Sequence, residues 1–142
     1  MHKILFYITM FILFSCKKEG QINSNANNLF LCKYNVVEKF KIIGGPMVGT
    51  SGHGEYIIDI YKDSNDSNKI YLYNFAGFDT VNAIKFNNNL TFPSQKIKSQ
   101  NIGDVYINSG YGQFYNDSIL YWFNSGSASG IIESSCSASQ IK

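Results

Sequence analysis

The segment from Glu55 to Ile60 alternates between polar and apolar residues. Tyr56, Ile58 and Ile60 share one face, whereas Glu55 and Asp59 lie on the other. This period-two pattern is typical of a β-strand with one buried face. A cluster of Asp, Ser and Asn residues follows at positions 63–68 and predicts a turn. The sequence therefore predicts a strand that ends in a tight reversal of the chain.

Short apolar runs separated by turn residues continue to the C-terminus, and no convincing helical stretch interrupts them. Strands of this kind form an antiparallel meander, which either closes into an up-and-down barrel or folds into a sandwich. Closure removes exposed strand edges, so we expect an all-β, eight-stranded antiparallel barrel. The other predicted strands are about Phe30 to Ile43, Ile70 to Tyr73, Val81 to Phe86, Leu90 to Phe92, a short one near Lys96, Val105 to Tyr115, Ile119 to Phe123 and Ile131 to Ile141.

The N-terminus has a different pattern. His2 and Lys3 precede an apolar run over residues 4–14, which ends in Ser15-Cys16. This order is that of a secretory signal, and the run is shorter than the roughly 18–20 apolar residues of a membrane span. We therefore expect residues 1–15 to be a signal peptide.

The segment Leu13-Phe14-Ser15-Cys16 resembles the lipobox of bacterial lipoproteins, although Phe14 replaces the usual small residue. The resemblance implies that the Cys16 thiol carries diacylglycerol, that the chain is cut before Cys16, and that the new amine is acylated, with palmitate as the expected label. Two or more acyl chains anchor a protein stably in a membrane. A plain signal peptide with an incidental cysteine is the alternative.

The residue after Cys16 is Lys17, not the Asp that retains some Gram-negative lipoproteins at the inner membrane. The resemblance therefore implies the outer membrane, with the periplasmic and cell-surface sides both open. Residues 16–29 are rich in Asn, Ser and Gly and predict a tether that spans about 20 Å. Residues 30–142 remain as one domain, which is long enough to bury a core.

Composition argues against a nucleic-acid partner. The chain has 12 Lys+Arg against 10 Asp+Glu, a net charge of +2, and no arginine. Ten Tyr and eleven Phe are present, but no basic stretch accompanies them. Aromatic residues are therefore the main candidates for binding chemistry or for core packing.

Of the three cysteines, Cys16 is assigned to the lipid, which leaves Cys32 and Cys136 at opposite ends of the domain. An exported protein meets an oxidising compartment, so we predict a Cys32–Cys136 disulfide. In a closed barrel the first and last strands are neighbours, which agrees with this pairing. Two buried thiols without a bond are the alternative.

Several segments occur in an order similar to that of the small calycin-like, or lipocalin-like, β-barrel lipoproteins of Gram-negative envelopes. The most specific pieces are Asn74-Phe75-Ala76-Gly77 and Leu90-Thr91-Phe92-Pro93-Ser94-Gln95. The resemblance covers about Lys33 to Asn124. It implies an eight-stranded barrel and brings no shared catalytic residues and no agreed ligand.

Several motifs suggest chemistry, but each lacks essential residues. The glycine-rich segment 44–54 has no Gly-Lys-Ser/Thr ending for phosphate, and no helix follows. His53 with Glu55 lacks a third metal ligand, and the turn at residues 63–68 lacks the central Gly and closing Glu of a calcium loop. No triad context surrounds Ser51 or Ser94. We therefore expect no enzymatic activity, metal or cofactor.

The leading hypothesis is a lipocalin-like binding module for a small apolar or amphipathic ligand at a barrel mouth near Gly49 to Tyr56. The candidate ligand-binding residues are His53, Tyr56, Tyr71 and Tyr73. The alternative is a structural or interaction protein that presents its barrel exterior to an envelope protein or glycan. Aromatic side chains that only fill the barrel interior are the simplest explanation of the composition.

Overall fold

The computed structural model describes residues 29–99, 103–127 and 130–142. The predicted signal peptide, Cys16 and the predicted tether up to residue 28 lie outside the described residues, and the interpretation of that segment stays a prediction. Within the described part of the chain, no helix has the length and apolar character that crossing a membrane requires.

Nine strands and one short 3-10 helix make up the described domain. The strands are β1 (Leu29–Gly44), β2 (Ser51–Lys62), β3 (Lys69–Tyr73), β4 (Thr80–Phe86), β5 (Asn89–Phe92), β6 (Gln95–Ser99), β7 (Gly103–Tyr115), β8 (Ser118–Ser127) and β9 (Gly130–Gln140), and the helix covers Phe75–Gly77. The predicted all-β class and the run of short strands are confirmed.

Eight of these strands form a closed antiparallel barrel. Their order is β5-β4-β3-β2-β1-β9-β8-β7, and pairing of β5 with β7 closes the circuit. The ninth strand, β6, pairs with β7 outside that circuit. The first and last strands of the domain, β1 and β9, are neighbours, as the closed meander predicts.

Proline explains why β5 and β6 are separate strands. Both pair with the same edge of β7 in one register, with Phe92 opposite Gly110 and Gln95 opposite Ile107. Pro93 has no N–H to give to a ladder, so the pairing stops there. The Gln95 side chain then takes the place of a strand neighbour: its Oε1 accepts from Asn82 N at 2.8 Å, and its Nε2 donates to Asn82 O at 2.8 Å.

The lower part of the barrel interior is packed with aromatic rings. Phe75 is fully buried, and its ring centroid lies 4.7 Å from that of Phe123, 5.2 Å from Phe92 and 5.7 Å from Tyr121. It reaches the interior because Asn74 before it adopts a left-handed backbone with φ of 58°. These rings therefore pack as a core, which agrees with the simplest explanation of the aromatic composition.

Two glycines of β7 make room for these rings. A Cβ on Gly110 would lie 2.8 Å from Phe92 Cδ2, and a Cβ on Gly112 would lie 2.5 Å from Tyr121 Cβ. No side chain fits between the β7 backbone and the aromatic cluster. This explains why glycine and aromatic residues alternate in the late part of the sequence.

The predicted Cys32–Cys136 disulfide is wrong, because the two cysteines are not close and neither forms a disulfide. Neighbouring strands β1 and β9 carry them, but Cys136 lies opposite Glu38, six residues along β1 from Cys32. At about 3.3 Å per residue this offset is about 20 Å, whereas a disulfide needs Cα atoms within about 7 Å. The prediction that the first and last strands are neighbours is therefore correct, but the register between them excludes the disulfide.

The predicted turn after β2 is confirmed as a β2–β3 hairpin. The Asp63 carboxylate accepts hydrogen bonds from the backbone N–H groups of Asn65, at 2.8 Å, and Asp66, at 3.1 Å. Local side-chain acceptors of this kind stabilise turns. The Asp63 carboxylate of this segment therefore accepts hydrogen bonds from the chain's own backbone.

Candidate functional site

Burial inside the barrel decreases toward the end that carries the β1–β2 loop. On β1, the inward residues Tyr34 and Val36 are 4% and 0% exposed, whereas Glu38 and Phe40, which continue the same face, are only partly buried. On β2, Ile58 is fully buried and Tyr56 is partly buried. We call the inward residues Glu38, Phe40, Gly52, Gly54 and Tyr56 the barrel mouth.

A polar network forms the floor of the barrel mouth. The hydroxyl oxygens of Tyr56 and Tyr121 are hydrogen-bonded at 3.2 Å, and Tyr56 Oη lies 3.7 Å from Cys136 Sγ. Tyr121 of β8 and Cys136 of β9 are 4% and 5% exposed, and Ser134, at 1%, precedes Cys136 on the same inward face of β9. The Tyr121 hydroxyl, buried to this degree, is oriented by its partner Tyr56.

Glu38 joins this network from β1. It lies opposite Cys136 on β9 and opposite Gly54 on β2. Burial raises the pKa of the Glu38 carboxyl, and the neighbouring Ser134 hydroxyl offsets part of that rise. A desolvated carboxyl favours its neutral form or a partner that supplies a proton or a positive charge.

The same burial keeps the other titratable groups of the floor protonated. Desolvation raises the pKa of the Cys136 thiol to about 12, with the Glu38 charge as a smaller cause. Desolvation also raises the pKa values of the Tyr56 and Tyr121 hydroxyls, and both face Cys136. A thiol with this pKa is a poor nucleophile at neutral pH. The floor is therefore suited to hydrogen bonding.

Glycine leaves open space on β2 at the position opposite Glu38. A Cβ on Gly54 would have no atom within 4 Å, whereas a Cβ on Gly52 would lie 2.6 Å from Phe40 Cζ. The Phe40 ring thus covers Gly52, and the space next to Gly54 is free. Strand β2 also pairs with β3 only over 59–62, so residues 51–56 have a strand neighbour on the β1 side alone among the described strands.

The four predicted ligand-binding residues do not form one site. Tyr56 points inward and belongs to the barrel mouth, whereas His53 lies exposed on the outer face of β2, opposite Lys39. Tyr71 Oη donates a 2.6 Å hydrogen bond to the Asp63 carboxylate, and the Tyr73 ring packs edge-on against Tyr61 at 4.8 Å between centroids. Tyr71 and Tyr73 thus alternate with the buried Ile70 and Leu72 and face outward.

Sequence reasoning missed Glu38, Ser134 and Cys136 as inward residues at this end of the barrel. A signal for Glu38 was available, since it continues the two-residue spacing of the buried Tyr34 and Val36 on one strand. Charged residues usually lie on the exposed face of a strand, so an inward glutamate is difficult to predict from the sequence. The predicted disulfide pairs Cys136 with Cys32, so the sequence interpretation does not include Cys136 in the floor of the barrel mouth.

The described residues contain no group of three or more His, Cys, Asp or Glu side chains that could hold a metal ion. Comparison with protein-family models, curated proteins and solved structures found no match to this chain. The lipobox and calycin-like resemblances therefore remain expectations from the sequence.

Proposed function

We propose that this chain is a non-enzymatic binding module, anchored in the outer membrane by a lipid on Cys16. The barrel takes a small amphipathic ligand at its mouth. The open space between Gly54, Glu38 and Tyr56 carries this proposal, because it joins a hydrogen-bonding floor to free volume at one end of a packed barrel. Small barrels with eight strands have room for about one such ligand.

The lining indicates how the ligand is oriented. The polar floor contains Glu38 and Tyr56, whereas Phe40 and Ile42 continue the inward face of β1 toward the rim and are partly buried. An amine, amide or hydroxyl head group pairs with the carboxyl and the phenol, and an apolar body covers the two rim side chains. Burying that apolar surface supplies affinity, and the polar pair supplies orientation.

The Cys136 thiol on the floor of the barrel mouth is not an activated nucleophile. Burial keeps the Cys136 thiol protonated by raising its pKa to about 12, and His53 lies on the outer face of β2, away from the floor. A nucleophile needs a lowered pKa or an adjacent base.

Native mass spectrometry of the protein, released gently from its host envelope, tests the ligand. We expect a small-molecule adduct that is lost on denaturation. Gly54→Leu fills the open space and removes the adduct, whereas His53→Ala, one residue away on the outer face, retains it. An adduct that persists in Gly54→Leu, or a wild-type protein that carries none, contradicts the proposed ligand site.

The lipid anchor has its own test. Cys16→Ser abolishes labelling with palmitate and leaves an uncleaved or soluble product. Labelling that survives this substitution shows that the lipoprotein interpretation is wrong.

A further inference from the structure

A groove with a volume of about 580 Å³ runs along the outer wall of the barrel, on the side of β9. Its floor is made of small side chains, Ser135 and Ser137. Lys39 and Val37 of β1 form one side, and Trp122 and Leu120 of β8 form the other. Small residues on one strand between large residues on both neighbours thus create the concavity.

The strand register fixes these residues in two rows. Ser135 lies between Lys39 and Trp122, and Tyr111 of β7 follows Trp122 in the same row. Strands are about 4.8 Å apart, so β1 and β8 are separated by about 9–10 Å across the serine floor. A groove of this width admits a single extended chain of linked six-membered rings.

The second row places amide and hydroxyl groups beside the aromatic ones. Gln113 lies next to Leu120, and Leu120 lies next to Ser137. The rings of Tyr111 and Trp122 lie 5.5 Å apart, and Tyr111 is 66% exposed. Exposed aromatic faces together with hydroxyl and amide groups are the chemistry that recognises a sugar, whose ring has an apolar C–H face and a polar rim.

A second hollow extends this groove toward the base of the barrel. It has a volume of about 660 Å³ and shares Gln113 and Tyr115 with the groove. Lys39 lines the first hollow and Lys85 the second, and no Asp or Glu belongs to the described lining of either. The continuous path fits an extended ligand, and its charge accommodates neutral or anionic chains.

We propose that this outer groove binds an oligosaccharide, with one sugar ring against Trp122 and Tyr111 and its hydroxyl groups on Ser135, Ser137 and Gln113. The site is on the opposite face of the wall from the barrel mouth, and it does not depend on a ligand there. It gives the barrel exterior a role in attaching the protein to an envelope or extracellular glycan.

Trp122 is the chain's only tryptophan, so its fluorescence reports on the groove directly. The probes are cellohexaose as a neutral hexasaccharide and hexagalacturonate as an anionic one, each titrated into the intact protein. We expect saturable quenching or a blue shift with at least one of them. No saturable change with either hexasaccharide overturns the proposal.

Three variants locate the binding. Ser137→Phe fills the floor and abolishes the fluorescence response while it keeps Trp122. Tyr111→Ala removes one stacking surface and weakens binding about tenfold. Tyr73→Ala is the matched control, because Tyr73 is an outward aromatic residue on the far wall, and it leaves binding unchanged.

Two further outcomes would overturn the proposal. One is equal binding by Ser137→Phe and wild type while circular dichroism shows both folded. The other is a protein partner that co-purifies with wild type and not with Ser137→Phe while neither hexasaccharide binds, since the groove then serves a protein. Glu38→Gln, which alters only the interior, leaves sugar binding intact and separates this site from the barrel mouth.

Discussion

Gly112 and Gly54 offer a matched test of how the barrel interior is filled. Both are inward-facing strand glycines, but a Cβ on Gly112 would lie 2.5 Å from Tyr121 Cβ and 2.7 Å from Leu120 O, whereas a Cβ on Gly54 meets nothing within 4 Å. We predict that Gly112→Ala strongly lowers the free energy of unfolding and that Gly54→Ala does not.

The magnitude follows from what the new methyl group would meet. One neighbour is a backbone carbonyl on the paired strand β8, and another is the Cβ of a residue held in the aromatic cluster, so neither can rotate away. Overpacking of this kind costs about 2–3 kcal/mol. For a domain of roughly 110 residues, that lowers the melting temperature by about 8–12 °C.

Equilibrium urea unfolding, followed by the fluorescence of Trp122 and by far-UV circular dichroism, measures both variants. We expect Gly54→Ala to stay within about 0.5 kcal/mol of wild type or to gain slightly, because alanine restricts the unfolded chain. If Gly112→Ala is as stable as Gly54→Ala, close packing of the aromatic cluster against β7 is not the reason for glycine at these positions. The description of the lower barrel as tightly packed is then wrong.

Three other predictions test the floor of the barrel mouth and the wall of the barrel. Since burial raises the pKa of Glu38, the stability that its neutral form provides is complete below the ordinary glutamate pKa of about 4.3 and is lost as pH rises through the higher folded value. Wild type should therefore lose stability relative to Glu38→Gln in urea titrations as pH rises above the ordinary glutamate pKa, and parallel pH profiles would contradict this. Gln95→Ala should cost about 1–2 kcal/mol because it removes both hydrogen bonds to the Asn82 backbone, whereas Ser94→Ala, an exposed neighbour, should be neutral by thermal unfolding. Cys136, with a pKa of about 12, should resist iodoacetamide at pH 8 in the folded protein and react once urea unfolds it, and rapid native labelling at this cysteine, mapped by peptide mass spectrometry, would contradict its burial.

Much of the architecture was predictable from local patterns. The alternation in Glu55 to Ile60 correctly assigns Tyr56, Ile58 and Ile60 to the interior, and the turn at residues 63–68 is where the β2–β3 hairpin reverses. Period two and turn chemistry are properties of a few consecutive residues, so one sequence suffices to detect them.

The candidate site was only partly predictable. The sequence pattern places Tyr56 on the inward face, whereas the other three predicted ligand-binding residues, His53, Tyr71 and Tyr73, lie on the outer face. The period-two pattern already indicates an outward position for Tyr71 and Tyr73, because they flank the apolar Leu72 on the same strand.

The sequence by itself determined the strands, their turns and the closed order in which β1 meets β9. Tertiary structure alone decided the register, and with it which residues face each other across neighbouring strands. Cys32 and Cys136 are on adjacent strands yet about 20 Å apart along them, whereas Glu38, Gly54 and Cys136 meet in one row. The physical reason is that closing a barrel staggers its strands, and this stagger depends on the packing of the whole interior, which no local pattern encodes.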